Sequence, residues 1–340
     1  MRRIVIAVVI AAALAGWTSG SARAADGAAS DKTTTGALPI ENEITPAQRK
    51  AIDKGLKWLA DNQGLDGSFG DAAFTSLAGI AFMADGNMPD EGPYGKQVAK
   101  ALDFIIKNAQ ESGLLTTGDM YGQGFATLFL AEVYGTTQRQ DVKEKLQKAV
   151  LLLKNCQNPQ GGWRYQPAPN DADISVTICE VMALRAARNA GIKVPKTVID
   201  KALDYVHKSQ CPDGGFMYTL GSGGSAFPRS AAGMAILYYS GVYSGPEIDK
   251  GLKYLAGHIP GKGENAMSGH TFYGNYYGTQ AMFMAGGDNW SQWWPAVREM
   301  LIKRQAENGS WTGEASEQYA TSMALIILQV PNRLLPILQK

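Results

Sequence analysis

Two kinds of apolar pattern alternate along the chain and predict two kinds of helix. In segments such as AQRKAIDKGLKWLADNQ (47–63), apolar residues recur at helical spacing with lysines and aspartates opposite them. A short polar turn then leads to a segment that is apolar on nearly all sides, as in FTSLAGIAFMA (74–84). The first kind predicts a half-exposed helix, and the second predicts a helix that is buried all round.

The polar turns between these segments repeat one short motif. A glutamine is followed by glycine four residues later and by an aromatic residue six residues later. Gln110 begins a degraded copy without the aromatic residue, and a copy after residue 246 has lost its glutamine. A period of about fifty residues is typical of a repeat architecture and predicts six units. The motif glutamines and aromatics are Gln63 and Phe69, Gln157 and Trp163, Gln210 and Phe216, and Gln305 and Trp311.

Six helix pairs predict an all-α fold with two concentric rings, an (α/α)6 toroid. The amphipathic helices would form the outer ring and the apolar helices the inner ring. An open solenoid of the same units is the alternative, but its terminal units would need polar capping faces, and none is evident. In the turns, glycine permits a sharp reversal, the aromatic residue packs between units, and the glutamine hydrogen-bonds backbone groups at a helix end.

The Q-x3-G-x-W/F motif resembles the repeat of squalene cyclases and of protein prenyltransferase beta subunits. The resemblance covers residues 45 to about 335 and implies the same toroid. It does not fix an activity, because one fold hosts several chemistries.

Class II terpene cyclases carry a D-x-D-D motif at the start of an inner helix, and NDADISVT (170–177) is similar to it. The resemblance implies that Asp173 is the acid that protonates the substrate, with Asp171 as its neighbour. Ile174 replaces the third aspartate, which removes a partner of that acid. The alternative is that both aspartates cap the helix that follows.

Two other relatives of the fold suggest different chemistry. The aspartate–cysteine pair that holds zinc in prenyltransferases is absent, so we predict no metal and no cofactor. GGWRYQPAPNDADIS (161–175) is similar to a stretch of the pectate lyases that share this toroid. That likeness favours a carbohydrate-active or carbohydrate-binding toroid, with Arg164 and Arg229 as candidate bases.

A ligand site is expected where the inner helices begin, around one mouth of the ring. Collecting their first turns gives a set of aromatic residues with a few ionisable groups. The aromatic walls suit an isoprenoid or a sugar, and the helix N-termini favour an anionic group. The alternative is that several of these tyrosines only fill the centre of the ring. The predicted substrate-binding residues are Tyr121, Arg229, His270, Tyr273, Tyr276, Tyr277 and Tyr319.

The N-terminal segment predicts export. Arg2 and Arg3, an apolar run and an A-x-A pattern at 22–24 are typical of a signal peptide over residues 1–24. Residues 25–44 predict a flexible leader, and 45–340 the toroid. We therefore expect a periplasmic or secreted protein.

Charge and cysteine content narrow the remaining possibilities. Loss of Arg2, Arg3 and Arg23 would change the net charge from +1 to about −2, which does not favour nucleic acid. No stretch after the signal is long and apolar enough to span a membrane. Cys156 and Cys211 lie in adjacent units and would form either a disulfide or two free thiols.

The leading hypothesis is an exported terpene-cyclase-like protein that takes an isoprenoid or other lipid into its central cavity. If it is an enzyme, it would be a terpene-cyclase-like isomerase that uses Asp173. Binding of an oligosaccharide is the second hypothesis. The third is a non-catalytic scaffold that binds protein partners on its outer helices.

Overall fold

The computed structural model describes residues 44–117, 119–262 and 270–339, and these contain twelve α-helices and no strand. The predicted signal peptide and nearly all of the predicted leader lie outside the described residues. The odd-numbered helices are α1 Pro46–Asp61, α3 Gly95–Asn108, α5 Gln140–Cys156, α7 Lys196–Ser209, α9 Pro246–Ala256 and α11 Gly287–Arg304. The even-numbered helices are α2 Ala72–Met83, α4 Met120–Thr137, α6 Ile174–Asn189, α8 Phe227–Tyr239, α10 Thr271–Ala285 and α12 Glu317–Gln329.

The even-numbered helices form a closed inner ring. Each of them packs against the next one, from α2 to α4 and so on to α12, and α12 packs back against α2. The odd-numbered helices lie outside this ring, and α1 contacts both α11 and α12. The predicted toroid is therefore confirmed, and the open solenoid is not what the chain forms.

The motif glutamines join each unit to the next one. Gln157 Nε2 donates to the carbonyl oxygen of Gly161 in its own turn and to that of Val198 in the next outer helix, both at 2.8 Å. Gln305 does the same with Gly309 at 2.9 Å and with Ala51 of α1 at 2.8 Å. Because α1 begins the first unit and Gln305 belongs to the last, this second bond closes the ring.

The motif glycine and aromatic residue complete the joint. Gly309 has φ +99°, and a Cβ there would lie 2.6 Å from the carbonyl oxygen of Lys54 in the next outer helix. Only glycine therefore fits both the backbone angle and the space. Trp311 is fully buried and donates its indole N–H to Leu301 at the end of α11, while its ring edge contacts Gly55 of α1. The aromatic residue thus packs between units, as the sequence predicts.

Two further expectations concern the thiols and the membrane. Cys156 and Cys211 are both free thiols in the structure, with Cys156 buried and Cys211 partly exposed. Across the described ranges, the search for a helix that combines the length and the apolar character of a membrane span finds none.

Candidate functional site

A cavity of about 470 Å³ lies at the first mouth of the ring, the mouth at which the inner helices begin. We call it the tyrosine pocket, because four tyrosines contribute to its wall. Inner helices α4, α6, α8 and α10 all supply residues to it, together with the loops that precede α6 and α8. The lining residues are Tyr121, Tyr165, Ser175, Tyr218, Ala226, Pro228, Arg229, His270 and Tyr273.

The hydroxyl groups of two of these tyrosines are anchored on α6. Tyr121 donates to the Ser175 hydroxyl at 3.0 Å, and Tyr273 donates to the Ser175 carbonyl oxygen at 2.9 Å. Burial raises the pKa of both phenols above the usual range, so both stay protonated. Both hydroxyl protons are therefore committed to the protein, and the rings face the cavity with their apolar carbon atoms.

The other two tyrosines form a hydrogen-bonded pair. The hydroxyls of Tyr165 and Tyr218 bond to each other, and the Tyr218 hydroxyl lies 3.3 Å from Asp173 Oδ2. Arg164 lies over both rings, 5.4 Å from the centre of Tyr165 and 5.7 Å from that of Tyr218. At these distances the guanidinium interacts with the aromatic faces. The pair and the arginine hold the loops before α6 and α8 together.

Asp173 is the N-cap of α6 and is fully buried. Its Oδ1 accepts three hydrogen bonds, from the Ser175 hydroxyl at 2.7 Å and from the amides of Ser175 and Val176 at 2.9 Å. Its Oδ2 faces the Tyr218 hydroxyl and lies 3.6 Å from Arg164 Nε. The capping alternative therefore describes its contacts in the structure.

The protonation of the two aspartates is shifted in opposite directions. Burial raises the pKa of Asp173, although the hydrogen bonds to its carboxylate work against that shift. Asp171 is half exposed and ion-paired with Arg164, and this bond lowers its pKa. Ile174, at the position of the third acid of the cyclase motif, is fully buried and donates its amide to Tyr218. The catalytic role of Asp173 and Asp171 stays a prediction.

Arg229 and His270 are the ionisable groups of the pocket wall other than the tyrosines. Arg229 donates to the carbonyl oxygens of Phe216 and Gly224, which fixes its guanidinium beside the cavity. No described residue forms an ion pair with Arg229, and His270 is exposed at the start of α10. Of the described residues that line the pocket, none carries a carboxylate, so the polar side of the wall is positive or neutral.

Three of the predicted binding residues do not line the pocket. Tyr276 and Tyr277 are 1% and 0% exposed, and their hydroxyls contact Met182 Sδ and Cys179 Sγ. They fill the centre of the ring beneath Tyr273, as the alternative hypothesis expected. Tyr319 is 8% exposed and packs against Phe74, with 5.8 Å between ring centres. Their role in ligand binding stays a prediction.

The structure adds residues that sequence reasoning missed. Tyr165 and Tyr218 each lie two residues after the motif aromatic, at Trp163 and Phe216. The same position holds Asp71 in the first unit, so the shared tyrosine in two adjacent units was a detectable signal. Glu314 was also missed: its Oε1 accepts the amides of Phe272 and Tyr273 and caps α10 from a neighbouring unit.

Comparison with known proteins agrees with the fold. Residues 98–256 match the model of the prenyltransferase alpha-alpha toroid domain. Drimenyl diphosphate synthase from Streptantibioticus cattleyicolor is 29% identical over 185 residues, which are 49% of this chain and 32% of that protein. The chain therefore spans about a third of the length of this curated relative. The resemblance inferred from the motif is confirmed.

Solved structures show the same fold at low sequence identity. The type II terpene cyclase MstE from Scytonema has a TM-score of 0.61 and 13% identity, over 86% of this chain and 100% of that one. A variant of it in complex with geranylgeranyl dihydroxybenzoate gives 0.62 and 14%, over 85% and 98%. The GH76A alpha-1,6-mannanase from Salegentibacter sp. HEL1_6 gives 0.63 and 10%, over 84% and 99%. Likeness at this level establishes the toroid and no activity.

Proposed function

We propose that this protein binds an isoprenoid or a related lipid in the tyrosine pocket. The observation that carries the proposal is the state of the four tyrosine hydroxyls. Those of Tyr121 and Tyr273 donate to Ser175, and those of Tyr165 and Tyr218 bond to each other and to Asp173. Their rings present apolar carbon atoms and negative π faces, which suit an unsaturated hydrocarbon chain.

The polar end of the ligand is assigned to Arg229 and His270. These two side chains lie on the same part of the wall, at the starts of α8 and α10. A guanidinium binds phosphate or carboxylate strongly because charge-assisted hydrogen bonds form between them. No lining carboxylate among the described residues would repel such a group. The ligand is therefore an amphiphile with an anionic head and an isoprenoid-like tail.

The known relatives support a lipid over a sugar. The MstE variant is bound to geranylgeranyl dihydroxybenzoate, and the curated relative is named a drimenyl diphosphate synthase. The mannanase gives some weight to an oligosaccharide, and a variant of it is bound to alpha-1,6-mannotriose. Hydrolysis of a glycosidic bond usually needs two carboxyl groups that flank it. The described lining of the tyrosine pocket offers none, so the lipid is favoured.

Cyclisation of the bound lipid by Asp173 is the finer form of the proposal. The raised pKa of Asp173 favours a retained proton, whereas the three donors on Oδ1 and the nearby Arg164 favour the charged form. Asp173→Asn separates the two roles, because asparagine also caps a helix well. Loss of product formation with unchanged ligand affinity would support catalysis. Absence of product from the wild type with every isoprenoid tested would leave binding alone.

Export is also proposed, with residues 1–24 removed before Ala25. The predicted signal peptide supports it. Expression of the full chain in a bacterial host and intact-mass measurement of the purified protein would test it. A mass that begins at Ala25 supports export, and a retained Met1 in every cell fraction contradicts it.

A thermal-shift screen of residues 25–340 tests the proposed function. One ligand set holds isoprenoid alcohols and polyprenyl phosphates, and the matched set holds neutral and acidic oligosaccharides. A ligand that binds only the folded state must raise the melting temperature. We expect the phosphates to give the largest shift. A shift with oligosaccharides alone would replace the lipid by a sugar, and no shift with either set would favour the scaffold hypothesis.

A further inference from the structure

The chain that follows α12 crosses the second mouth of the ring, the mouth at which the inner helices end. We call residues 330–339 the tail segment. It consists of a 3-10 turn at Val330–Asn332, a reversal at Arg333 and a second 3-10 turn at Pro336–Leu338. Leu335, Ile337 and Leu338 are only 0%, 2% and 4% exposed. The gap between this segment and the ends of α8 and α10 has no room for a water molecule.

Side chains at the edges of the segment fix its path. Asn332 Nδ2 donates to the carbonyl oxygen of Ala84 at the end of α2, at 2.9 Å. Gln339 Nε2 donates back to the Arg333 carbonyl oxygen at 2.8 Å. The Arg333 guanidinium lies 5.3 Å from the ring centre of Phe283 on α10. These contacts lie on opposite sides of the mouth, so the segment spans it like a strap.

Ile337 is held at the centre of the mouth by its backbone. Its amide donates to the carboxyl group of Glu132 on α4, and its carbonyl oxygen lies 3.5 Å from the Tyr239 hydroxyl on α8. Glu132 is 2% exposed, and its Oε2 has no hydrogen-bond partner. An acid buried in this way is stable only when it carries its proton.

The groups around Glu132 offer it no compensating charge. Burial raises the pKa of its carboxyl to about 8, and the Ile337 amide only partly offsets this effect. The Tyr239 and Tyr276 phenols face it from α8 and α10, and both stay neutral because burial raises their pKa. Arg185 of α6 donates to the Tyr239 carbonyl oxygen at 3.4 Å. The tail segment contributes only backbone and apolar groups at this point.

We propose that the tail segment is a detachable plug held by Glu132, which opens the second mouth without unfolding the helices. Its apolar residues replace water at the mouth, and its hold on Glu132 depends on the Ile337 amide. When the plug leaves, Glu132 gains water, and its ionised form is then favoured. The plug does not depend on the identity of the ligand in the tyrosine pocket.

The direction of the pH dependence follows from linkage. The docked state binds the proton of Glu132 up to about pH 8, whereas a hydrated carboxyl loses its proton near pH 4.3. Docking is therefore unaffected by pH below about 4.3 and weakens roughly tenfold per pH unit up to about pH 8. Above pH 8 both states are ionised, and the dependence ends.

Hydrogen exchange of the full mature chain, with rates corrected for intrinsic pH effects, tests the proposal. Two peptides are compared, one covering the tail segment and one covering α12. We expect protection in the tail segment at least tenfold below that of α12 at pH 7, because the plug opens while the helix remains folded. We also expect the protection of the tail segment to fall as pH rises from 5 to 8.

Two glutamine variants give the matched control. Glu132→Gln keeps an acceptor for the Ile337 amide and should remove the pH dependence of protection in the tail segment. Glu180→Gln removes another fully buried glutamate, whose pKa burial also raises, and should leave that dependence in place. Equal protection of the tail segment and α12 would overturn the proposal, because the tail would then open only with global unfolding. A pH dependence that survives in Glu132→Gln would also overturn it.

Discussion

The two mouths of the ring are built from the same six helix pairs, yet they differ in what fills them. At the first mouth, the starts of α4, α6, α8 and α10 leave a cavity of about 470 Å³ lined by tyrosines. At the second mouth, Leu335, Ile337 and Leu338 of the tail segment occupy the space. The repeat therefore supplies the frame, and the residues that depart from the repeat decide which mouth can accept a ligand.

The polar groups at the two mouths also differ in how they are satisfied. Asp173 at the first mouth has three donors on one carboxylate oxygen. Glu132 at the second mouth has an oxygen without any partner. The first arrangement is fixed, whereas the second is stable only while the acid stays neutral. Substitutions at the frame and at each mouth can test this difference.

Trp311→Ala should have the largest effect, because it breaks the frame that both mouths share. The indole is fully buried and bonded to Leu301, so its loss should lower the free energy of unfolding by about 3–5 kcal/mol. Urea unfolding followed by circular dichroism measures this change. Leu151→Ala, at a side chain that is 55% exposed, should change stability by less than about 0.5 kcal/mol. Equal losses in the two variants would contradict the role given to the motif.

Glu132→Gln should stabilise the protein by up to a few kcal/mol near pH 8. The folded pKa of Glu132 is raised to about 8, so the unfolded state binds fewer protons and stability falls as pH rises from about 4.3 to 8. Chemical unfolding at pH 4, 6 and 8 measures the difference. The variant and wild type should converge at pH 4. A constant difference at all three values would show that Glu132 acts through something other than its proton.

Tyr218→Ala should weaken binding of a polyprenyl phosphate by roughly tenfold, since it removes one ring from the pocket wall. Isothermal titration calorimetry measures the dissociation constant. Tyr243→Ala removes a tyrosine that is 53% exposed and does not line the pocket, and should leave the constant unchanged. Similar losses in both variants would mean that the lipid binds elsewhere.

Asp173→Ala should lower the free energy of unfolding by about 0.5–2 kcal/mol, because α6 loses its N-cap. Asp173→Asn should lose much less, since the amide oxygen can accept the same backbone hydrogen bonds. Thermal or urea unfolding of both variants measures the contrast. Greater loss in the asparagine variant than in the alanine variant would show that the cap is not what Asp173 contributes.

The frame was predictable from sequence because its signals repeat. A glutamine, a glycine and an aromatic residue recur at fixed spacing, and each does the same physical work in every complete copy. Closure was predictable only as an expectation, since the bond from Gln305 to Ala51 joins residues 254 positions apart. Patterning along the chain cannot show that such distant residues meet.

The pocket was only partly predictable. Tyr121, Arg229, His270 and Tyr273 line it, and they were found because each lies at the start of an inner helix. Tyr276 and Tyr277 lie one turn further along α10 and point into a packed centre, a distinction that needs the actual helix rotation. Glu132 gave no signal at all, because its partner is the backbone of Ile337, which carries no mark in the sequence.

The location of the bound ligand tests the central claim most directly. A crystal structure of residues 25–340 with a polyprenyl phosphate would reveal it. The isoprenoid chain should lie against Tyr121, Tyr165, Tyr218 and Tyr273, with the phosphate beside Arg229. Ligand density on the outer helices, with the tyrosine pocket holding only water, would contradict the proposed function.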